Sequence, residues 1–203
     1  MTTLDELARI HGSDKWKHGY PVAYDEMFTP IRNDKIKLLE IGILDGASMH
    51  MWADYFPNAE IIGLDVKKFK MDLPRVTILQ GDQANRRYLW KLGKQYGPFD
   101  IVIDDGGHTM NQQQTSLGIL FRYVKPGGTY IIEDLHTSFN RSYNRSAQIT
   151  THRLIKRFQD RGRLRSRSIG RKDRLLLENH IAKCEIWQKG RSMFCEFKKK
   201  EKP

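Results

Sequence analysis

Two acidic clusters, each directly after an apolar run, contain the side chains best suited to chemistry. The residues concerned are Asp104, Asp105 and His108 after the first run, and Glu133 and Asp134 after the second. If the two runs are neighbouring parallel strands, both clusters lie at one edge of a sheet. Carboxylate oxygens select hard cations such as Mg²⁺. The sequence therefore predicts a metal site with a base beside it.

We predict distinct roles for these residues. Asp105, Glu133 and Asp134 are the expected metal ligands, and the metal would bind a substrate diol and lower the pKa of one hydroxyl. His108 follows Asp105 after two glycines and is the expected general base. The alternative interpretation is that His108 caps the next helix or is merely exposed. Asp104 is expected to support the cofactor.

The apolar patterns that position these clusters alternate between strands and helices. Continuous apolar runs predict the strands Lys37 to Gly42, Ile61 to Asp65, Val76 to Gln80, Phe99 to Ile103 and Tyr130 to Ile132. Helical spacing occurs between them, as in Leu117, Leu120, Phe121 and Val124. Residues 181–198 read as an antiparallel hairpin. The fold class predicted is α/β, with a doubly wound, mostly parallel seven-stranded sheet ending in that hairpin.

A glycine turn follows the first predicted strand. Gly42 and Gly46 would let the backbone turn tightly and approach a ligand. The turn lacks the three-glycine spacing of a dinucleotide-binding loop and begins with an acid, Glu40. An acid is a poor neighbour for pyrophosphate but a good one for an ammonium or sulfonium group. This favours S-adenosylmethionine over NAD as the cofactor.

Two further acids follow the next strands. Asp65 lies about 20 residues beyond the glycine turn, where an acid can bind a ribose diol. Asp82, with Gln83 beside it, is placed to reach an adenine amine. The alternative for each acid is a helix N-cap. Together with Glu40, they predict a cofactor site at the carboxyl ends of the strands.

The basic charge is concentrated in one segment. The formal net charge is +11, and residues 153–174 contain ten basic residues against Asp160 and Asp173. This segment is either a phosphate-binding surface or a solvated, partly mobile insertion. No apolar run approaches the ~20 residues of a membrane span. The start of the chain does not resemble a signal peptide, and Cys184 and Cys195 are interpreted as free thiols in the cytosol.

Five short motifs occur in an order that resembles a known family. They are Gly12-Ser13-Asp14-Lys15, Leu39-Glu40-Ile41-Gly42, Gly81-Asp82-Gln83, Ile103 to His108, and Ile132-Glu133-Asp134. Together they resemble the magnesium-dependent class I methyltransferases that use S-adenosylmethionine to methylate deoxysugar hydroxyls of macrolides and other natural products. The resemblance covers residues 4–137. It implies the metal ligands and base named above, and it implies that Ser13 and Tyr20 help to close over the cofactor.

We therefore expect a cytosolic O-methyltransferase acting on a sugar or similar diol-bearing small molecule, and the resemblance favours a homo-oligomer. Residues 1–203 are interpreted as one domain, with a helical cap over the cofactor (1–34) and a basic insertion near the substrate (140–175). His136 and Arg141 are expected substrate contacts. One rival is methylation of RNA or of a phosphorylated or nucleotide-linked glycan. The other is a non-catalytic module that binds adenosylmethionine or nucleic acid.

Overall fold

The computed structural model describes residues 2–145 and 149–201 and contains, over these ranges, one seven-stranded sheet. The strands are β1 (Lys37–Ile41), β2 (Glu60–Asp65), β3 (Val76–Gln80), β4 (Phe99–Asp104), β5 (Val124–Ile132), β6 (Ile181–Lys189) and β7 (Ser192–Lys199). Their spatial order is β3-β2-β1-β4-β5-β7-β6. Strands β1 to β5 run parallel to one another, and β7 is antiparallel to both β5 and β6. This confirms the predicted sheet and its C-terminal hairpin.

Helices cover both faces of the sheet. They are α1 (Leu4–Ile10), α2 (Lys15–His18), α3 (Tyr20–Phe28), α4 (Ala47–Tyr55), α5 (Arg86–Tyr96), α6 (Met110–Leu120), α7 (Arg141–Asn144), α8 (Thr151–Arg161) and α9 (Arg171–His180). One core contains side chains of α1, α3 and α4, and the other contains side chains of α5, α6, α8 and α9. Within the described ranges, no helix has the length and apolarity needed to cross a bilayer.

Alternate residues of the central strands divide between these two cores. Leu38 packs in the first core, whereas its neighbour Leu39 packs in the second. This follows from the two-residue period of a strand. Because both faces are buried, the strands read as continuous apolar runs in the sequence. The carboxyl ends of the strands are left free to carry polar groups.

The predicted helical face that included Phe121 and Val124 is wrong at its end. Helix α6 stops at Leu120, a short 3₁₀ turn spans Phe121–Tyr123, and Val124 begins β5. Val124 pairs with Phe99, and the register then shifts before Thr129 pairs with Ile101. This irregularity accommodates Pro126, which has no backbone N–H for a regular ladder. Strand β5 is therefore longer than its apolar run.

The basic segment contributes to the core, so the interpretation as a solvated insertion is wrong for its apolar face. Four side chains of residues 153–174 are buried in the second core, namely Leu154, Ile155, Leu164 and Ile169, and Leu177 of α9 is buried just beyond the segment. The arginines and lysines lie mostly on the opposite, exposed side of α8 and α9. Charge dominates the composition of this segment, but the leucines and isoleucines between the charges anchor it to the sheet.

Replacement of Leu177 tests this anchoring. Leu177 is fully buried, so we expect Leu177→Ala to lower the free energy of unfolding by about 2–5 kcal/mol through lost burial and a cavity. Leu175, on the same helix, is 42% exposed, and Leu175→Ala should cost about 0.5 kcal/mol or less. Urea unfolding measures both. Equal and small losses would show that α9 is not part of the cooperative core.

Candidate active site

The two acidic strand ends meet, as the sequence predicted. Asp104 of β4 is in register with Ile41 of β1 and with Ile132 of β5. Backbone hydrogen bonds continue one step beyond the strands, from Asp105 N to the Ile41 carbonyl (2.8 Å) and from Glu133 N to the Asp104 carbonyl (2.9 Å). Three strand ends are thereby aligned at one edge of the sheet.

A buried lysine lies among the carboxylates of these strand ends. The Lys15 Nζ atom is 2.6 Å from Asp105 Oδ2, 2.8 Å from Glu133 Oε1 and 3.1 Å from Glu40 Oε1. Lys15 is 1% exposed and Glu40 and Glu133 are equally buried. Helix α2 therefore places its ammonium group at the centre of three strand ends, β1, β4 and β5.

Further donors complete the shell around these buried acids. Tyr24 donates its hydroxyl to Glu133 Oε1 at 2.8 Å. Glu40 Oε2 accepts hydrogen bonds from Ser48 Oγ at 2.7 Å and from Trp52 Nε1 at 3.1 Å. These donors come from α3 and α4, so the first core and the acidic edge are tied together. Glu40 is consequently directed away from the open space at the sheet edge.

Burial and mutual contact shift the pKa values of this cluster. Burial alone would lower the pKa of the Lys15 ammonium, but Asp105, Glu133 and Glu40 outweigh it, and the pKa stands well above its ordinary value. Burial and repulsion by Asp105 raise the pKa of Glu133 well above its ordinary range, although Lys15 opposes the rise. Burial likewise raises the pKa of Glu40. Lys15 therefore contacts three carboxyl groups, and burial favours the protonated forms of two of them, Glu40 and Glu133.

A second group of ligand atoms lies beside this cluster. Atoms of Asp105, His108 and Asp134 lie within 4.8 Å of one another, and all three side chains are partly exposed. Tyr20 donates its hydroxyl to Asp134 Oδ1 at 2.8 Å, and His108 Nε2 is 3.7 Å from Asp134 Oδ2. The Nδ1 atom of His108 is buried and has no hydrogen-bond partner among the described residues. Two carboxylates facing open space fit a hard divalent cation, and the imidazole lies beside them.

The backbone at this group is strained. His108 has φ 57° and Asp134 has φ 53°, in the left-handed region that residues other than glycine rarely adopt. Thr137 Oγ1 lies between both turns, 2.7 Å from the Asp134 carbonyl oxygen and 3.3 Å from the His108 carbonyl oxygen, and its hydroxyl proton is donated principally to the nearer one. Such strain persists only where the surrounding structure determines it, and it clusters at functional sites.

The structure separates the three predicted metal ligands. Asp105 and Asp134 face the open group, whereas the Glu133 carboxylate contacts Lys15 and Tyr24 and is 1% exposed. The residue in the third position of the open group is His108, which the sequence predicts as the base. The carboxylates of Glu133 and Asp105 both contact the Lys15 ammonium group. The role of Glu133 as a ligand stays a prediction.

A cavity of about 720 Å³ extends from this group along the strand ends. Of the predicted cofactor residues, Ser13, Gly42, Asp65, Asp82 and Gln83 line it, and so do Asp105, His108 and Asp134. The Asp65 carboxylate accepts hydrogen bonds from Ile43 N at 2.9 Å and from Lys67 N at 2.8 Å. Asp65 therefore orients the glycine turn and still faces the cavity.

Gly42 is required by the close approach of two loops. It has φ 91°, and a Cβ atom there would overlap the backbone carbonyl of Asp105. A side chain at position 42 would push the β1 turn away from the end of β4. The glycine thus sets the spacing between the cofactor end of the cavity and the group around Asp105.

The other predicted residues lie outside the cavity lining. Asp104 is buried, its pKa is raised by that burial, and it accepts hydrogen bonds from Gln83 Nε2 at 2.9 Å and from Tyr130 at 3.2 Å. Gln83 in turn accepts from Gly107 N at 2.7 Å, so Asp104 supports the loop that carries His108. The remaining residues outside the lining are Tyr20, Glu40, Gly46, Glu133, His136 and Arg141.

Of these, His136 and Arg141 are the predicted substrate contacts. His136 lies beside the metal group, with Nδ1 3.8 Å from Asp134 Oδ1. Arg141 is exposed at the start of α7.

Sequence reasoning missed Lys15 and Tyr24. Lys15 was part of a recognised motif, Gly12-Ser13-Asp14-Lys15, but a lysine in a polar segment is ordinarily exposed. Tyr24 has helical spacing with the apolar residues Met27, Phe28 and Ile31, a pattern that indicates only a helical apolar face. Its hydroxyl contact with Glu133 depends on how α3 packs across the sheet edge, and no local pattern signals that.

Removal of the Lys15 ammonium tests its role as counter-ion. Lys15→Met leaves Glu133 and Glu40 buried without a cation, so we expect the free energy of unfolding to fall by about 3–5 kcal/mol. The pKa values of both carboxyls would rise further above their unfolded values. A carboxyl with a raised folded-state pKa stabilises the folded state as the pH falls through that pKa. The loss should therefore be largest above pH 7 and shrink towards pH 5.

Lys17, an exposed lysine on the same helix, provides the control. Lys17→Met should change the free energy of unfolding by about 0.5 kcal/mol or less at every pH. Chemical denaturation at a series of pH values measures both variants. A Lys15→Met loss as small as that of the control would disprove the counter-ion role.

Comparison with known proteins identifies relatives of one kind. No protein-family model matches the chain. A 154-residue stretch is 40% identical to a tetracenomycin-C rhamnosyl 3'-O-methyltransferase of Streptomyces olivaceus, covering 71% of this chain and 40% of that protein. A 146-residue stretch is 41% identical to the mycinamicin VI 2''-O-methyltransferase of Micromonospora griseorubida, covering 67% of this chain and 37% of that protein. The chain thus matches about two-fifths of the length of these curated relatives.

Solved structures agree with the sequence relatives. The MycE methyltransferase of the mycinamycin pathway, in complex with Mg and SAH, superposes with a TM-score of 0.83 at 29% identity. The match covers 99% of this chain and 56% of that chain. These findings confirm the resemblance to sugar O-methyltransferases and the class I methyltransferase fold. They leave the individual site residues as predictions.

Proposed function

We propose that this chain carries the catalytic centre of an S-adenosylmethionine-dependent, metal-assisted sugar O-methyltransferase. The observation that carries the proposal is the continuity of one cavity. Its lining joins the acids expected to bind the cofactor, Asp65 and Asp82, to the group formed by Asp105, His108 and Asp134. A methyl donor and a metal-held acceptor would then share one space. MycE, a structural relative, has been solved with Mg and SAH and also with mycinamycin VI.

Cofactor binding would depend on residues at the carboxyl ends of β1, β2 and β3. Asp65 has a carboxylate fixed by two backbone N–H groups and facing the cavity, which suits a ribose diol. Asp82 and Gln83 lie farther along the lining, towards the expected adenine. Ser13, in the loop before α2, also lines the cavity and would contact the cofactor. Bound S-adenosylmethionine would supply a methyl group on a sulfonium that leaves as a neutral thioether.

Asp105 and Asp134 would hold the metal. Glu133 would support them, since it shares the Lys15 ammonium group with Asp105. A divalent cation there would lower the pKa of a substrate hydroxyl and orient a neighbouring oxygen. Tyr20 and Lys15 keep the two aspartates in place through their contacts with Asp134 Oδ1 and Asp105 Oδ2. Each of these aspartates accepts that hydrogen bond on one carboxylate oxygen, so its other oxygen is available for a metal.

His108 is the proposed general base. Its imidazole lines the cavity on the loop after β4 and would accept the acceptor hydroxyl proton as the oxygen attacks the methyl carbon in line. The strained backbone at His108 directs the ring towards Asp134 rather than into helix α6. A module that only binds the cofactor has no use for this strain, which disfavours the non-catalytic alternative.

The remaining expectations from the sequence are proposals of the same kind. Residues 1–34 would cap the cofactor, since the loop at Gly12 to Lys15 lines the cavity. The substrate is proposed to be a small sugar-bearing molecule, as the names of the relatives suggest. A homo-oligomeric assembly and a cytosolic location stay predictions.

Calorimetry with S-adenosylmethionine tests the cofactor assignment. We expect the protein to bind the cofactor and Asp65→Ala to weaken binding by about tenfold or more, because a charge-assisted hydrogen bond to the ribose is lost. Asp160→Ala, at an exposed position of α8, should leave affinity unchanged. Absence of cofactor binding to the unmodified protein would refute the proposed function.

Metal and base can be tested separately. Mn²⁺ binding, followed by electron paramagnetic resonance, should weaken in Asp105→Asn and in Asp134→Asn but not in Asp54→Asn, where the carboxylate pairs with His11.

Methyl transfer to a panel of glycosides should require a divalent metal and fall by about 10²-fold or more in His108→Ala. His50→Ala, at an exposed histidine, is the control. Full activity in a chelator would remove the metal from the mechanism.

A further inference from the structure

A second cavity opens on the other side of His108. Its volume is about 430 Å³, within the range of small-molecule sites. It lies between the start of α6, helix α7 and the loop before α9. The lining residues that carry the argument are Asn111, Gln114, Tyr143, Arg145, Ser166 and Arg167.

This cavity adjoins the proposed base. Thr109, which lines it, directly follows His108 in the chain. The Tyr143 ring meets the His108 ring edge-on, with ring centroids 6.2 Å apart and planes at 72°. His108 itself lines the larger cavity. The second cavity is therefore bordered by Thr109 and Tyr143, the two residues that adjoin the proposed base.

The charge of the second cavity differs from that of the first. The larger cavity is lined by several aspartates, whereas the described lining of the smaller one contains two guanidinium groups, Arg145 and Arg167, and no carboxylate. Over residues 2–145 and 149–201, no carboxylate lies within ion-pair distance of either guanidinium. Polar lining residues of the second cavity are held in place by hydrogen bonds. Gln114 is 2% exposed and donates to the Ile149 carbonyl at 2.9 Å, and Ser168 donates to Asn111 at 2.9 Å.

We propose that this cavity binds the phosphate of a phosphorylated or nucleotide-linked sugar, whose hydroxyl is then presented to His108. The inference rests on the proposed function and specifies its acceptor. A neutral deoxysugar offers a guanidinium no anionic acceptor, whereas a phosphate accepts paired N–H donors from arginine and neutralises its charge. Arg145 and Arg167, on different elements, lie on the lining of one small space. Serine and amide groups supply donors and acceptors for sugar hydroxyls.

Equilibrium binding of three probes tests the proposal: glucose 1-phosphate, UDP-glucose and unphosphorylated glucose. The protein should bind a phosphate-bearing probe at least about tenfold more tightly than glucose. The double variant Arg145→Gln/Arg167→Gln should lose about tenfold or more of that affinity. The matched control is Arg163→Gln/Arg165→Gln, which removes two exposed arginines of the same segment outside the lining. It should lose about twofold or less.

Preference for UDP-glucose over glucose 1-phosphate would identify a nucleotide-linked acceptor, and the reverse would identify a simple sugar phosphate. Equal affinity for glucose, failure of both phosphate probes to bind, or equal losses in the two double variants would overturn the proposal. Tighter binding of a 12-nucleotide single-stranded RNA, reduced by the control variant as well, would overturn it in favour of nucleic acid. S-adenosylmethionine is titrated in parallel. Its failure to bind would refute the proposed function while probe binding still tests the cavity.

Discussion

The Lys15 ammonium is the interaction on which the rest of the site depends. It contacts carboxylates that follow or belong to three different strands, so helix α2 and the strand ends of β1, β4 and β5 are held at fixed distances. Burying two glutamates at a sheet edge is costly unless they are paired. The same ammonium also contacts Asp105, which faces the open group together with Asp134. The counter-ion that permits burial of the glutamates therefore also positions a proposed metal ligand.

The sequence was sufficient to predict most of the fold and the meeting of the two acidic clusters. Continuous apolar runs indicated strands covered on both faces, and β4 and β5 are neighbours, as the alternation of elements requires. The strand ends, Asp65 and Asp82 among them, indicated which residues would line the cavity. These inferences succeeded because they depend on position along strands rather than on side-chain packing.

What the sequence did not predict depends on contacts between distant segments. Glu133 belongs to the correct strand end, but whether its carboxylate faces a metal or a lysine is decided by α2, 118 positions away along the chain. Similarly, the ten basic residues of segment 153–174 masked the leucines and isoleucines that hold α8 and α9 on the sheet. Composition describes the solvent face of an amphipathic helix well and its buried face poorly.

The placement of β7 has a consequence for how the protein is made. Of the described strands, β7 is the last to leave the ribosome, yet it lies between β5 and β6 and pairs with both. Tyr20, whose hydroxyl donates to Asp134, also accepts a hydrogen bond from the backbone N–H of Met193 in β7. Domains generally fold as units during synthesis, from the N-terminal side. The nascent chain therefore cannot complete this edge of the sheet, or fix Tyr20 against Asp134, until translation has passed β7.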